Sequence, residues 1–293
     1  MQGVDHYENF PVATWLCPAA LRPAVQAIYR FARTADDLAD EGCAAAEQRL
    51  ADLKAYRQEL QQACEAAAQR ATPSGPYRWP QVFPALSAQI RRHRLPPALL
   101  YALLDAFEQD VRHTAAGHRY ADLDELLDYC SRSANPVGRL LLHLYQVTDA
   151  HSLQQSDAIC SALQLINFWQ DLGVDLHRNR HYLPADHLKF HRIEPDTLLP
   201  GLRHADAGRM VLALCRHARQ LMNQGAPLAW RLPGRVGWEL RLVVHGGLRI
   251  LDKIEALNGE TWIQRPRLTR SDVPLLIWRA FHRPRAAQTP ALT

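Results

Sequence analysis

The chain has 293 residues, a formal net charge of +4 and 47% hydrophobic residues, which is enough apolar material for a large core. The basic excess is too small to indicate a nucleic-acid partner, and we expect none. No apolar run approaches the length of about 18 residues that a membrane-spanning helix needs. The first residues lack the basic and apolar regions of a signal peptide.

The predicted elements are helical along the whole chain. Ala-rich runs such as 43–70 and the amphipathic stretch 205–230 dominate, while runs of β-branched residues are scarce. The stretch 72–80, rich in Pro and aromatic residues, is predicted to be a loop. Because no flexible linker divides the chain, we predict one all-α domain over residues 1–282 and a disordered tail over 283–293.

The first helix predicted to carry chemistry spans residues 29–40. Tyr29, Arg33, Asp36 and Asp40 fall at offsets 0, 4, 7 and 11, so they share one helical face. Asp36 and Asp40 form an i,i+4 carboxylate pair, whose repulsion a bound cation would relieve. Asp37 lies between them and points in a different direction.

A second polar stripe follows some 130 residues later. Gln164, Asn167, Asp171 and Asp175 fall at offsets 0, 3, 7 and 11, again on one helical face. The stretch 164–170 is too apolar for a solvent-facing surface, so this stripe is predicted to line a polar cavity. Two facing carboxylate pairs would suit Mg²⁺, a hard ion that binds carboxylates together with phosphate oxygens.

Spacing alone is weak evidence, as a third pair shows. Asp124 and Asp128 are also at i,i+4, yet Asp122 or Asp124 reads as a helix N-cap and the pair as an exposed helical face. We interpret this pair as structural. The rest of each stripe, and not the aspartate spacing, distinguishes the other two pairs.

Other candidate sites are weaker. The pairs His177/His181 and His187/His191 have zinc-compatible spacing but no H-E-x-x-H pattern, so surface positions are predicted. No glycine fingerprint for a nucleotide is present. The six scattered cysteines predict free thiols and a cytoplasmic location. The apolar segment 271–281 either caps the core or contacts a membrane surface from the cytoplasmic side.

The blocks around the two aspartate pairs match motifs of a known family. Block 29–40 resembles the first aspartate-rich motif of the squalene/phytoene synthase family, with its preceding Tyr and Arg. Block 164–184 resembles the second motif with its trailing Arg-x-Tyr-x-Pro, and Asp110 and the stretch 120–138 resemble the central helices. The resemblance extends over residues 6–267.

This resemblance implies an all-α isoprenoid synthase fold with a central cavity between the two Asp-bearing helices. Catalytic roles are implied for Asp36, Asp40, Asp171 and Asp175, which would hold Mg²⁺ against a prenyl diphosphate. The implied metal ligands are Asp36, Asp37, Asp40, Asn167, Asp171 and Asp175. The implied substrate-binding residues are His6, Tyr29, Arg33, Tyr129, Gln164, Asn167, Arg178, Arg180 and Tyr182.

Details of three blocks resemble one branch of the family. These blocks are 6–13, 133–138 and 168–171, where Phe-Trp-Gln-Asp replaces the more common Ile-Leu-Arg-Asp. The branch belongs to the bacterial hopanoid route and converts presqualene diphosphate and water into hydroxysqualene and diphosphate. The resemblance therefore implies links to an enzyme that makes presqualene diphosphate and to one that reduces hydroxysqualene. In such a reaction the departure of diphosphate leaves a carbocation. Phe168, Trp169 or Tyr129 would stabilise this cation, or would simply pack in the core.

Two alternatives stay open at this point. Other members of the family condense two prenyl diphosphates to squalene, dehydrosqualene or phytoene. A member that lost its chemistry would serve as an assembly factor and should show eroded aspartates, whereas both pairs are intact here.

Overall fold

The computed structural model describes residues 17–69, 76–194, 197–198 and 202–282. Within these ranges the chain is all-α, as predicted, and the described residues form no strand apart from an isolated bridge between Arg119 and His181. The sites predicted around His6 and the tail 283–293 lie outside the described residues. In chain order the helices are α1 (Arg22–Asp40), α2 (Ala46–Gln69), α3 (Phe83–His93), α4 (Pro97–Ala116), α5 (Leu123–Ser133), α6 (Asn135–Leu144), α7 (Ala150–Gln170), α8 (Leu172–His177), α9 (Ala185–Phe190), α10 (Ala205–Gly225), α11 (Pro227–Arg231), α12 (Gly234–Ala256) and α13 (Val273–Phe281).

Helix α1 forms because its apolar and polar residues separate at helical spacing. Pro23 lies in the first turn, where its missing N–H is not needed. Ile28, Phe31 and Ala35 are buried on one face, which leaves the predicted polar stripe on the other. The helix ends at Asp40, after which the chain turns to an extended conformation.

The first hydrophobic core joins α1 to α2, α3 and α4. Phe31 and Tyr56 stack at a centroid distance of 5.4 Å, and the Tyr56 hydroxyl donates a 3.0 Å hydrogen bond to the Phe31 carbonyl. The Glu59 carboxylate accepts the backbone N–H of Trp79 at 3.2 Å, which ties the connection between α2 and α3 to the core. This core holds the back of α1 in place, so that its polar stripe faces the rest of the molecule.

The second hydrophobic core surrounds α7, which packs against α5, α6, α10, α11 and α12. Helix α10 can approach α7 closely because Gly225 has no side chain. A Cβ at this position would lie only 2.5 Å from the Gln155 carbonyl oxygen. Most of α7 is therefore enclosed by other helices, and its polar stripe lines an interior space, as its sequence predicted.

Two predicted helical stretches differ in detail from the observed elements. The stretch 205–230 is divided into α10 and α11 at Ala226, because Pro227 cannot continue the backbone hydrogen bonds of α10. The structural reading of the third aspartate pair is confirmed. The Asp122 side chain caps α5 by accepting the Glu125 N–H at 2.9 Å, while Asp124 and Asp128 are exposed.

The second aspartate stripe crosses a break between α7 and α8, although the sequence predicted one continuous helix. Asp171 ends α7 and begins α8. The Thr261 hydroxyl donates a 2.5 Å hydrogen bond to the Trp169 carbonyl, which in a continuous helix would accept the N–H of Gly173. The interruption therefore results from a tertiary contact with a distant segment.

Two further predictions can be compared with the structure. All six cysteines are free thiols, as expected. None of the described helices combines the length and apolarity that crossing a membrane requires.

The close approach at the break makes Gly173 intolerant of a side chain. A Cβ there would lie 2.9 Å from the Trp262 carbonyl oxygen and 3.3 Å from its Cα, both backbone atoms. We expect Gly173→Ala to lower the free energy of unfolding by about 1–3 kcal/mol, measured by denaturant unfolding.

Gly246→Ala is the matched control, because its Cβ would meet only the Leu268 side chain at an ordinary 3.6 Å. That substitution should leave stability unchanged or raise it by up to about 1 kcal/mol, since Ala favours helix over Gly. Equal stability of the two variants would contradict the packing described for the α7–α8 break.

Candidate active site

The polar stripe of α1 is held together by one arginine. Arg33 contacts Asp36 at 3.0 Å and Asp37 at 2.8 Å, so the guanidinium bridges two neighbouring acids of the first motif. Tyr29 lies one turn earlier on the same helix and is 43% exposed. Of the α1 acids, Asp40 therefore remains for partners from other elements.

Two arginines that follow α8 supply those partners. Arg178 Nη1 lies 2.9 Å from Asp40 Oδ2, and Arg180 contacts Asp40 Oδ1. Both arginines were predicted to bind substrate phosphate. In the structure they connect the first motif to the segment behind the second motif. Arg180 and Asp40 are each about one-fifth exposed, so much of their charge is removed from water.

A further arginine, which the sequence did not reveal, binds the second motif. Arg265 contacts both carboxylate oxygens of Asp171, with Nη2 2.8 Å from Oδ2, in a bidentate pair. The same segment is anchored by Gln170, whose Nε2 donates to the Pro266 carbonyl at 2.8 Å. Arg265 and Asp171 are 94 residues apart in the chain, and no motif in the sequence links the two positions.

Asp175 of α8 lies in a crowded anionic environment. The pKa of Asp175 is raised to about 7: burial is the largest cause, Asp171 and Asp40 also raise the pKa, and Arg180 lowers it. This carboxyl thus shares an electrostatic neighbourhood with acids of both motifs. The two motifs are therefore brought together in space, as the sequence predicted.

A second buried acid, Asp110 of α4, was not predicted as a site residue. The pKa of Asp110 is raised to about 7, mainly by burial and to a smaller extent by the charges of Asp36 and Asp40. The Tyr129 hydroxyl donates a 2.5 Å hydrogen bond to Asp110 Oδ2 and works against this effect. Tyr129, a predicted substrate-binding residue, thus contacts an acid beneath the motifs.

The aromatic residues near the second motif form a packed stack. Tyr182 and Phe168 lie 3.8 Å apart between ring centroids and are nearly parallel, and Tyr129 packs beside both. Trp169 is fully buried. None of these four aromatic residues is among those that line the cavity described next. Their position favours the core-packing interpretation over direct contact with a carbocation.

A cavity of about 320 Å³ lies between α1, α4, α6, α7, α11 and α12. Five predicted site residues line it: Tyr29, Arg33, Asp36, Gln164 and Asn167. Apolar side chains such as Ile28, Ile159, Leu163, Leu240 and Val243 form most of the remaining wall. Along α1 the lining extends from Val25 to Asp36, a distance of about 16 Å at the rise of an α-helix.

The cavity is therefore polar at the end formed by Arg33 and Asp36 and mainly apolar elsewhere, where Tyr145, Ser156 and Glu239 add single polar groups to the wall. Among the residues that the structure describes, the other predicted site residues do not line this cavity. Asp40, Asp171, Asp175, Arg178 and Arg180 lie in the ion-pair network of the two motifs. The predicted roles of these residues, and of His6, stay predictions.

The donor groups fit Mg²⁺ by their chemistry. Carboxylates of both motifs and the side-chain amide of Asn167 are the oxygen ligands that this ion prefers. The raised pKa of Asp175 shows that burial and neighbouring acids disfavour its anionic form, a cost that a divalent cation would offset.

The acids are held by arginines in this conformation. In the part of the chain that the structure describes, no three acidic, histidine or cysteine side chains converge as a ready-made metal site. Arg33, Arg178, Arg180 and Arg265 instead provide the countercharge. Arginines contact both carboxylate oxygens of Asp40 and of Asp171, so a metal ion at these two acids would compete with guanidinium groups.

Comparison with known proteins identifies what the chain is similar to. The squalene/phytoene synthase family model matches residues 4–272. The hydroxysqualene synthase of Sinorhizobium fredii is 31% identical over 271 residues, which are 92% of this chain and 86% of that protein. The hydroxysqualene synthase of Rhodopseudomonas palustris is 32% identical over 252 residues, 85% of this chain and 80% of that protein.

A solved structure is similar to this chain in both fold and sequence. The squalene synthase from Alicyclobacillus acidocaldarius superposes with a TM-score of 0.74 at 34% identity, over 86% of this chain and 90% of that one. The predicted isoprenoid synthase fold is thereby confirmed.

The raised pKa of Asp110 predicts a dependence of stability on pH. In the folded protein Asp110 binds a proton up to about pH 7, whereas the unfolded carboxyl releases it near pH 4, so this group lowers stability as pH rises through that interval. Asp110→Asn removes the titration and keeps an acceptor for Tyr129. We expect the variant to gain about 1–3 kcal/mol relative to the parent protein between pH 4 and pH 8.

Denaturant unfolding at several pH values measures this gain. Asp124→Asn is the matched control, since it removes one exposed acid from α5. A stability difference between Asp110→Asn and the parent protein that is the same at pH 4 and pH 8 would contradict the assigned titration.

Proposed function

The chain belongs to the squalene/phytoene synthase family, whose members are enzymes that process prenyl diphosphates, and we propose that it converts presqualene diphosphate and water into hydroxysqualene and diphosphate. The observation that carries this proposal is the polarity of the cavity. Arg33, Asp36, Gln164 and Asn167 mark one end, and an apolar wall continues from them along α1. Such a cavity suits an elongated hydrocarbon with a diphosphate at one position.

We propose that the two aspartate motifs bind the diphosphate through Mg²⁺. The ion would be held by carboxylates among Asp36, Asp37, Asp40, Asp171 and Asp175 together with Asn167. When bound, it supplies countercharge to the leaving diphosphate. This assignment is supported by the oxygen donor set and by the crowding of acids around Asp175.

In this proposal the arginines exchange partners when substrate binds. Arg33, Arg178, Arg180 and Arg265 contact the motif acids in the structure. With the acids acting as metal ligands, the guanidinium groups would be available to donate charge-assisted hydrogen bonds to phosphate oxygens. The same residues would thus neutralise the acids in one state and the diphosphate in the other.

The apolar wall would protect the carbocation that remains after diphosphate departs. Side chains such as Ile159, Leu163 and Val243 carry no nucleophile and exclude bulk water. One water must still reach the cation. Its oxygen forms the new C–O bond, and the proton that it loses passes to the departed diphosphate.

We propose that Gln164 positions this water. Its side-chain amide is one of the few neutral polar groups in the lining, one helical turn from Asn167 and above the apolar wall. An amide both donates and accepts hydrogen bonds, so it can orient a water without becoming a strong nucleophile itself. Gln164 would act as a positioning residue.

The pathway partners follow from the same chemistry. An enzyme that forms presqualene diphosphate would supply the substrate, and a reductase would consume hydroxysqualene. We place the reaction in the cytoplasm, in squalene and hopanoid biosynthesis. No nucleic acid takes part.

One alternative has a specific observation behind it. The solved structure from Alicyclobacillus acidocaldarius, which is 34% identical to this chain, is described as a squalene synthase. Condensation of two prenyl diphosphates is therefore the second candidate function. The two candidates differ in their starting materials and can be separated directly.

The decisive experiment incubates the purified protein with Mg²⁺ and either presqualene diphosphate or farnesyl diphosphate, without NADPH. We expect hydroxysqualene from the first substrate, no product from the second, and loss of turnover when the metal is chelated. Mass spectrometry identifies the products. Formation of presqualene diphosphate or dehydrosqualene from farnesyl diphosphate alone, of squalene from farnesyl diphosphate once NADPH is added, or of phytoene from geranylgeranyl diphosphate would overturn the assignment.

Within the same assay, Asp171→Asn should lower kcat by about 100-fold or more, because it removes a carboxylate that the proposed metal site needs. Asp124→Asn is again the control and should retain the parent rate, since Asp124 belongs to the exposed structural pair. Equal rates for both variants would exclude the proposed role of the second motif.

The proposed role of Gln164 predicts a change in product, beyond a change in rate. Gln164→Leu keeps the approximate size but cannot hold water, so we expect hydrocarbon products of proton loss to rise about tenfold relative to hydroxysqualene. Gln164→Asn, which keeps an amide, should restore part of the alcohol. Unchanged product ratios in the Leu variant would rule out water positioning by this residue.

A further inference from the structure

The last helix presents an apolar face to solvent. Val273, Ile277 and Phe281 fall at i,i+4 spacing and are 47%, 43% and 65% exposed, and Trp278 beside them is 58% exposed. Pro274 completes this surface, which we call the α13 apolar face. An isolated exposed hydrophobic residue is ordinary, but a continuous stripe along a helix indicates a surface that binds something.

The helix is firmly attached, so its exposure is not that of a loose terminus. Asp272 precedes α13, is buried, and accepts a hydrogen bond from Arg249 at 2.8 Å and an ion pair from Lys253 at 2.7 Å. On the inner side Ala280 is fully buried, and Arg279 contacts Asp252 of α12 at 3.2 Å. These contacts orient the apolar face outward.

The charge around this face is positive. Between Thr261 and His282 the sequence contains four arginines and one acid, Asp272, which forms ion pairs with Arg249 and Lys253 of α12. Arg265 and Arg279 form ion pairs with Asp171 and Asp252, so the positive charge of this surface comes from the other two arginines. Arg267 and Arg270 are exposed next to the start of the helix. Two more arginines, Arg283 and Arg285, follow in the sequence.

The face also lies behind the wall of the cavity. Phe281 packs edge-on against Trp238 of α12 at a centroid distance of 4.4 Å. On the same helix Val236, Leu240 and Val243 line the apolar part of the cavity. A single helix therefore separates the α13 apolar face from the space that would receive a hydrocarbon.

We propose that the α13 apolar face docks on the surface of a membrane that carries anionic lipids. Aromatic and aliphatic side chains flanked by arginines match the boundary between acyl chains and anionic headgroups. A second copy of the chain fits less well, because a symmetric contact would bring two basic surfaces together. The segment 283–293 fits less well too, because Leu292 is its one large apolar residue.

Vesicle co-sedimentation of the full chain tests this docking. We expect binding to phosphatidylcholine vesicles that contain about 30% phosphatidylglycerol, weaker binding to pure phosphatidylcholine, and release as NaCl rises from about 0.1 M to about 0.5 M. The double variant Ile277→Ser with Trp278→Ser should bind at least about tenfold more weakly, since two anchoring side chains are lost.

The matched control is Phe190→Ser with Leu202→Ser, because these residues are 83% and 56% exposed but lie outside α13. It should bind like the parent protein. Arg267→Gln with Arg270→Gln should reduce only the preference for anionic vesicles, by about fivefold per charge. Thermal unfolding of every variant confirms that the fold is retained.

Three results would overturn the proposal. The first is that the parent protein binds neither kind of vesicle, and the second is that Ile277→Ser with Trp278→Ser binds as well as Phe190→Ser with Leu202→Ser. The third is that the parent protein is a dimer in the absence of lipid and that Ile277→Ser with Trp278→Ser makes it monomeric, which would assign the face to a second copy. None of these readouts uses turnover, so they are independent of the proposed reaction.

Discussion

The site depends on the need of crowded carboxylates for countercharge. Asp40 of α1 and Asp171 at the end of α7 belong to different parts of the chain, and each is neutralised by arginine from a third segment. Arg178 and Arg180 reach Asp40 from beyond α8, and Arg265 reaches Asp171 from beyond α12. Without such cations, bringing the two motifs together would carry a large repulsive cost.

In the proposed mechanism the same need for countercharge lets the acids exchange their arginine partners for a metal ion. An arginine fork and a divalent cation are alternative partners for a carboxylate, and a guanidinium released from an acid is a strong donor to phosphate. The network neutralises Asp40 and Asp171 in the structure, and in the proposed reaction the same guanidinium groups would bind the diphosphate. The burial that raises the pKa of Asp110 and Asp175 adds to the demand for positive charge.

The surrounding architecture keeps polar and apolar chemistry apart. Helix α1 is fixed at its back by the Phe31–Tyr56 core, and α7 is enclosed by α10 and α12, so their facing stripes define one polar end of a cavity. The break at Asp171 results from the bond between Thr261 and Trp169. Here a segment from the end of the chain shapes the second motif, and the same segment leads on to α13.

The all-α fold, the α1 stripe and the structural role of Asp122, Asp124 and Asp128 were predictable from sequence, because helical periodicity and capping are local properties. The resemblance to the family motifs correctly predicted that the two acidic stripes lie close together. Local patterns carry no information about Arg265, whose partner is 94 residues away, or about Asp110, whose surroundings come from α5 and both motifs. The sequence by itself therefore determined which residues share a helical face. Only the tertiary structure decided which charges meet, where α7 ends, and that the α13 apolar face points outward, because each of these depends on contacts between segments that are distant in the chain.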